Sequence, residues 1–130
     1  MSIEARLYAA LTGHAGLAAL IGARVYPVQL PQTPTLPSVT YLRVSTAPIQ
    51  HRDNPTPTYS QARFQIDGWT AGFDAMIALR RQVRFAMGAF QLASTPRVDV
   101  ALLAGDRDLL DAEPDRWRCT MDYMIYFQED

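Results

Sequence analysis

Between Tyr59 and Ala89 the chain reads YSQARFQIDGWTAGFDAMIALRRQVRFAMGA, an alternating run, a short break and a long periodic run. Ala62, Phe64, Ile66 and Gly68 share one side of a strand, and Gln61, Arg63, Gln65 and Asp67 share the other. In the run that follows, Phe73, Met76, Leu79, Val83, Met87 and Phe90 recur at helical spacing and form a stripe able to cover the strand's dry side. A strand and a helix that can only bury their apolar faces against each other fix the centre of the core. The remaining elements must be arranged around that pair.

Upstream, Ser2 caps a first helix running to about Leu11, with Glu4 near the positive end of its dipole. A short helical turn from Gly16 to Ile21 closes at Gly22. Pro27, Pro31, Pro34 and Pro37 withhold ladder donors, so Tyr26 to Pro37 is expected to be an extended surface segment rather than a central strand. Ser38 to Ala47 is rich in β-branched residues and predicts a strand. Pro48 to Thr58, PIQHRDNPTPT, is then the long connection of a hairpin, the kind of loop that is either functional or disordered.

Past the helix, Val98, Val100 and Leu102 alternate on one side of a short strand, and Ala104 to Asp115 reads as an acidic turn segment. The last strand, Arg116 to Gln128, points Trp117, Cys119, Met121, Tyr123, Ile125 and Phe127 inward and Arg118, Thr120, Asp122, Tyr126 and Gln128 outward, with Met124 breaking the pattern. These elements predict an α+β fold in one domain, 1–130. Its sheet is mainly antiparallel with about four strands, and the long helix and the N-terminal helix pack on one face. The other face is expected to be hydrophilic, carrying Arg43, Arg63, Asp67, Arg118 and Asp122, and open to a partner.

The residue chemistry points away from catalysis. His14 and His51 lie in separate loops without metal-ligand spacing, no phosphate-cradling or nucleophile-elbow motif occurs, and the acidic segment lacks the order of a calcium loop. No metal and no cofactor is expected. A single cysteine, Cys119, cannot close an internal disulfide and is expected to be a buried, inert thiol. The formal net charge of -1 speaks against general nucleic-acid binding. No apolar run approaches the ~20 residues of a membrane span, and the start, MSIEARLYAALTGHAG, does not read as a secretory signal, so a cytoplasmic location is expected. Arg80, Arg81 and Arg84 on the long helix read as a solvated flank. Phe85 stands out, because it falls on the back of that helix beside Arg81, a pairing typical of subunit contacts.

Three fragments in order, ARVYPVQLPQTPTLPSVTYLRVS, ARFQIDGWT and DRDLLDAEPDRWRCTMDYMIYF, resemble the tail-completion, or tail terminator, proteins of long-tailed bacteriophages and gene transfer agents, a family formerly catalogued as a domain of unknown function. The likeness covers nearly the whole chain, and none of the fragments is a catalytic signature. The resemblance implies a structural virion protein, not an enzyme. It implies a ring, commonly of six copies, on the finished tail tube, which stops tube growth and joins the tail to the neck of the capsid. Its partners would be further copies of itself, the tail tube protein and a neck or head-completion protein, with DNA passing through unbound and no membrane involved. Candidate contact residues are His51, Arg52, Asp53, Asn54, Arg63, Asp67, Arg81, Phe85, Arg118 and Asp122. Candidate lumen residues, repelling the passing duplex, are Asp106, Asp108, Asp111, Glu113 and Asp115. Two other readings stay open: another neck or head-closure component, and a small ligand-binding domain using the open sheet face as its floor.

Overall fold

The computed structural model describes residues 2–49, 59–93, 96–111 and 116–128. Three helices and five strands follow one another as α1 (Ile3–Gly13), α2 (Ala15–Ile21), β1 (Val25–Pro27), β2 (Ser38–Pro48), β3 (Tyr59–Thr70), α3 (Phe73–Gly88), β4 (Arg97–Asp111) and β5 (Arg116–Gln128). The strands form one sheet in the order β1-β2-β3-β5-β4. Neighbours from β2 to β4 are antiparallel, and β1 lies parallel to β2, so the sheet is mixed and has one strand more than the sequence suggests. The prolines' bar on a central strand holds, since β1 is an edge strand and its proline is its last residue, where no ladder donor is needed. Just beyond it, Val28 takes a left-handed φ of 69°, unfavourable for a β-branched residue, and its N–H donates to the Tyr41 carbonyl at 2.8 Å.

Each helix follows from local chemistry. The Ser2 hydroxyl accepts from the Ala5 N–H at 3.1 Å, a cap that contributes about 1 kcal/mol, and Ile3, Leu7 and Leu11 then present a fully buried stripe. Gly22, at φ 61°, ends α2 by donating its N–H to the Ala18 carbonyl. On α3, Met76, Leu79, Val83, Ala86 and Met87 are buried, while Phe73 is half exposed and meets the edge of Trp117 at 5.3 Å between ring centroids. No described helix is long and apolar enough to cross a membrane.

Strand register decides what each face of the sheet carries. Val39, Gly68 and Cys119 lie in one row, followed by Tyr41, Ile66 and Met121, and the side chains of both rows face the buried cluster beneath the helices. Gly68 marks the closest approach of α3, since a Cβ there would lie 2.8 Å from both the Leu79 Cδ2 and the Cys119 Sγ. The Cys119 thiol is fully buried and unpaired, and burial pushes its pKa up. Burial is also the main cause that pushes Tyr123 up to about 12, with Arg84 opposing and Asp106 adding to it.

A tyrosine that keeps its proton longer when folded stabilises the fold fully below the unfolded value near 10 and loses that contribution as pH rises through 12. Between those values the stability should fall by up to about 1.4 kcal/mol per pH unit on account of Tyr123. Denaturant titrations of wild type and Tyr123→Phe from pH 9 to 12 should therefore show a shallower alkaline decline in the variant. Parallel curves would remove Tyr123 as a cause.

Candidate functional site

Two surfaces face away from the core: the side of the sheet opposite the helices, whose row of Thr40, Asp67 and Thr120 is nonetheless buried, and the back of α3. The open sheet side is ordered row by row. Trp69 and Arg118 are cross-strand partners, and the Arg118 guanidinium lies 4.9 Å from the Trp69 ring centroid. The Trp69 indole N–H donates to the Thr40 hydroxyl at 2.9 Å. The next row brings together Thr40, Asp67 and Thr120, followed by Leu42, Gln65 and Asp122.

Arg63 bridges to Asp122 at 3.1 Å, and Asp67 accepts from the Gln65 amide at 3.1 Å. The structure thus gathers Arg63, Asp67, Arg118 and Asp122 on the expected side. Their charges are largely answered within the face, and Asp67 is only 6% exposed.

Three sequence expectations change here. Arg43 is not on the open side: its cross-strand partner is Phe64, it lies 5.5 Å from the ring centroids of both Phe64 and Phe127, and it ion-pairs with Glu4 of α1. Its stem follows the strand's alternation into the helix side while its head reaches the surface. Second, the open side is not uniformly hydrophilic. Bulges in β4 between Val98 and Val100, and again between Leu103 and Gly105, reverse the alternation, so Val98 is buried while Val100 and Leu102 join Tyr126 and Met124 in an outward apolar patch.

Third, Ala104 to Asp111 is strand rather than turn. Asp106 and Asp108 stand opposite Met121 and Cys119, hence on the helix side of the sheet, and share Arg80 of α3. Arg80 is therefore a tie between α3 and the edge strand, not a solvated flank. The available signal is β4 in phase with β5, and the two bulges hide it. Of the other candidates, Asp111 lies within β4, while Glu113, Asp115 and His51 to Asn54 fall outside the described residues.

The back of α3 carries Ile77, Arg81 and Phe85 in one ridge, four residues apart, with Arg84 beside it. The Arg81 guanidinium sits 5.5 Å from the Phe85 ring centroid, and Ile77 and Phe85 are half exposed. Shallow hollows of about 520 and 450 Å³ flank the ridge, the second opening toward Gly16 and Leu20 of α2. Arg80, Arg81 and Arg84 line the first, but both hollows lie open along the ridge rather than forming the enclosed, mostly apolar cleft that holds a small ligand. Among the described residues no group of histidine, cysteine and carboxylate side chains has the arrangement of a metal centre. Exposed aromatic and aliphatic groups beside unneutralised arginines suit a protein contact far better than a reaction.

The comparisons with known proteins point the same way. A family model described as "Tail completion protein gp17" matches residues 5–128. Among solved structures, the chain is similar to one from the "Virion of native gene transfer agent (GTA) particle", with a TM-score of 0.74 and 22% identity, covering 98% of this chain and 95% of that one. At that identity the likeness speaks to the fold. The comparison with curated proteins finds no match.

Proposed function

The chain belongs to the tail completion protein gp17 family, and from that membership we propose that it is a structural protein of the virion tail that closes the finished tube as a ring of six copies. In that position it stops further addition of tube subunits and offers a surface to the neck of the capsid. The observation that carries this reading is the family match over nearly the whole chain. The fold likeness to a gene transfer agent virion chain supports it.

Head-to-tail contacts close a ring when the rotation between neighbours divides a full turn, and they require two different patches on each copy. The back of α3, with its arginines, and the edge strand β4, with Asp106 and Asp108, are two different surfaces of the kind such contacts use.

Electron microscopy of particles assembled without this protein tests the reading. Tails of uncontrolled length, or tails detached from capsids, are expected. Normal infectious particles would reject the proposal, and tails of normal length beside capsids that leak DNA would move the role to head closure.

A further inference from the structure

The charges of α3 and β4 are unbalanced in opposite senses. On β4, Asp106 and Asp108 share the single cation Arg80 and stay partly exposed. On α3, Arg81 and Arg84 make no ion pair among the described residues, and Asp74 is the one acidic residue of the helix. Each surface also ends in an exposed aliphatic side chain, Leu110 on the helix side of β4 and Ile77 on α3.

The order along both elements corresponds. Leu110, Asp108 and Asp106 follow one another at every second residue of a strand, spanning ~13 Å. Ile77, Arg81 and Arg84 follow along one helix face, spanning ~10 Å, and arginine side chains are long enough to close the difference. Laid antiparallel, Ile77 meets Leu110, Arg81 meets Asp108 and Arg84 meets Asp106. Arg80 already shows that an arginine of this helix suits this acid pair.

Extension of the sheet by a neighbour's strand is disfavoured, because β4 is bulged twice and charged along its length. A helix laid on the strip meets neither obstacle.

We propose that the contact between successive copies in the ring is made by Ile77, Arg81 and Arg84 of one copy against Leu110, Asp108 and Asp106 of the next. The proposal rests on the ring reading given above, and it assigns Asp106 and Asp108 to the seam between copies rather than to the lumen. Because the two patches differ, the contact is directional, and charge reversal on one side can be repaired by reversal on the other.

Sedimentation equilibrium of the full chain over a concentration series is the test, using wild type, Arg81→Glu, Asp108→Arg and a 1:1 mixture of the two variants. Each variant alone should self-associate at least tenfold more weakly than wild type, since like charges then face each other. In the mixture, the reversed helix of one variant meets the reversed strand of the other, and at the next seam the two unaltered patches meet. Opposite charges then face each other at every seam of an alternating ring, so association should return to within about threefold of wild type.

If Asp108→Arg lowers the melting temperature through its clash with Arg80, Leu110→Asp replaces it, with Ile77→Arg as its complement and the same outcomes expected. A wild type that stays monomeric throughout, variants that associate normally, a mixture that does not recover, or a closed two-fold dimer as the end point would each overturn the proposal. If particles need the protein while the variants associate normally, the seam is wrong and the tail role stands. If tails form normally without the protein, the tail role fails whatever the seam.

Discussion

Truncating Phe64 to alanine is expected to destabilise the protein by about 3–5 kcal/mol, a large part of the roughly 5–15 kcal/mol that holds a domain of this size together. Phe64 is fully buried on β3, the central strand of the sheet, with Arg43 as its partner on β2 and Tyr123 as its partner on β5. Its removal leaves a cavity beneath the helices and takes from Arg43 one of the two rings it lies over. Phe64→Leu keeps most of the volume and should cost roughly 1–1.5 kcal/mol. Urea unfolding of the three proteins measures this directly. A loss below about 1.5 kcal/mol in the alanine variant would mean that the site collapses freely and is not the centre of a close-packed core.

Adding volume four residues along the same strand should do comparable damage by the opposite route. Gly68→Val is expected to lose about 3 kcal/mol, because even its first carbon would press on the Leu79 Cδ2 and the Cys119 Sγ, both fully buried. Gly68→Ala brings in the same clash with less bulk and regains part of the loss, since alanine gives up less backbone entropy than glycine. The cause is isolated by a cycle with Leu79→Ala. If the helix side chain is the obstacle, the Gly68→Ala and Leu79→Ala costs should fall short of additive by about 1 kcal/mol or more. Strict additivity would show that the glycine is not needed for the approach of α3.

The strand that receives these two substitutions is also the most legible part of the chain. Alternation from Ala62 to Gly68 and the stripe from Met76 to Met87 are strong local periodicities, and both reappear as buried faces packed on each other. The last strand is equally readable, since Cys119 to Phe127 alternates without a bulge. Arg43 departs from expectation because its charge suggests the wet face while its parity sets the dry one. Val39, Tyr41 and Arg43 share one side of β2, and a long arginine can keep that side while its head group leaves the core.

The acidic run around Asp106 misleads for a different reason. Composition suggests a turn, whereas pairing with β5 holds the segment in the sheet and Arg80 offsets the cost of two carboxylates beside the helix. A bulge leaves no mark in hydrophobic pattern, so the outward patch of Val100 and Leu102 is invisible before the register is known. On the back of α3, Phe85 and its neighbour Arg81 are visible in the sequence because an aromatic on the polar back of a helix is out of place. Leu110 gives no such signal, as a leucine inside an acidic run that reads as a turn shows no face until the strand register is known.

A reconstruction of the junction between capsid and tail, resolved well enough to trace side chains, examines the assembly role at its source. Six copies of this chain are expected in a closed ring at the end of the tube, with Arg81 of each copy at ion-pair distance from Asp108 of its neighbour. A junction without this chain, or with copies that do not touch one another, would contradict it.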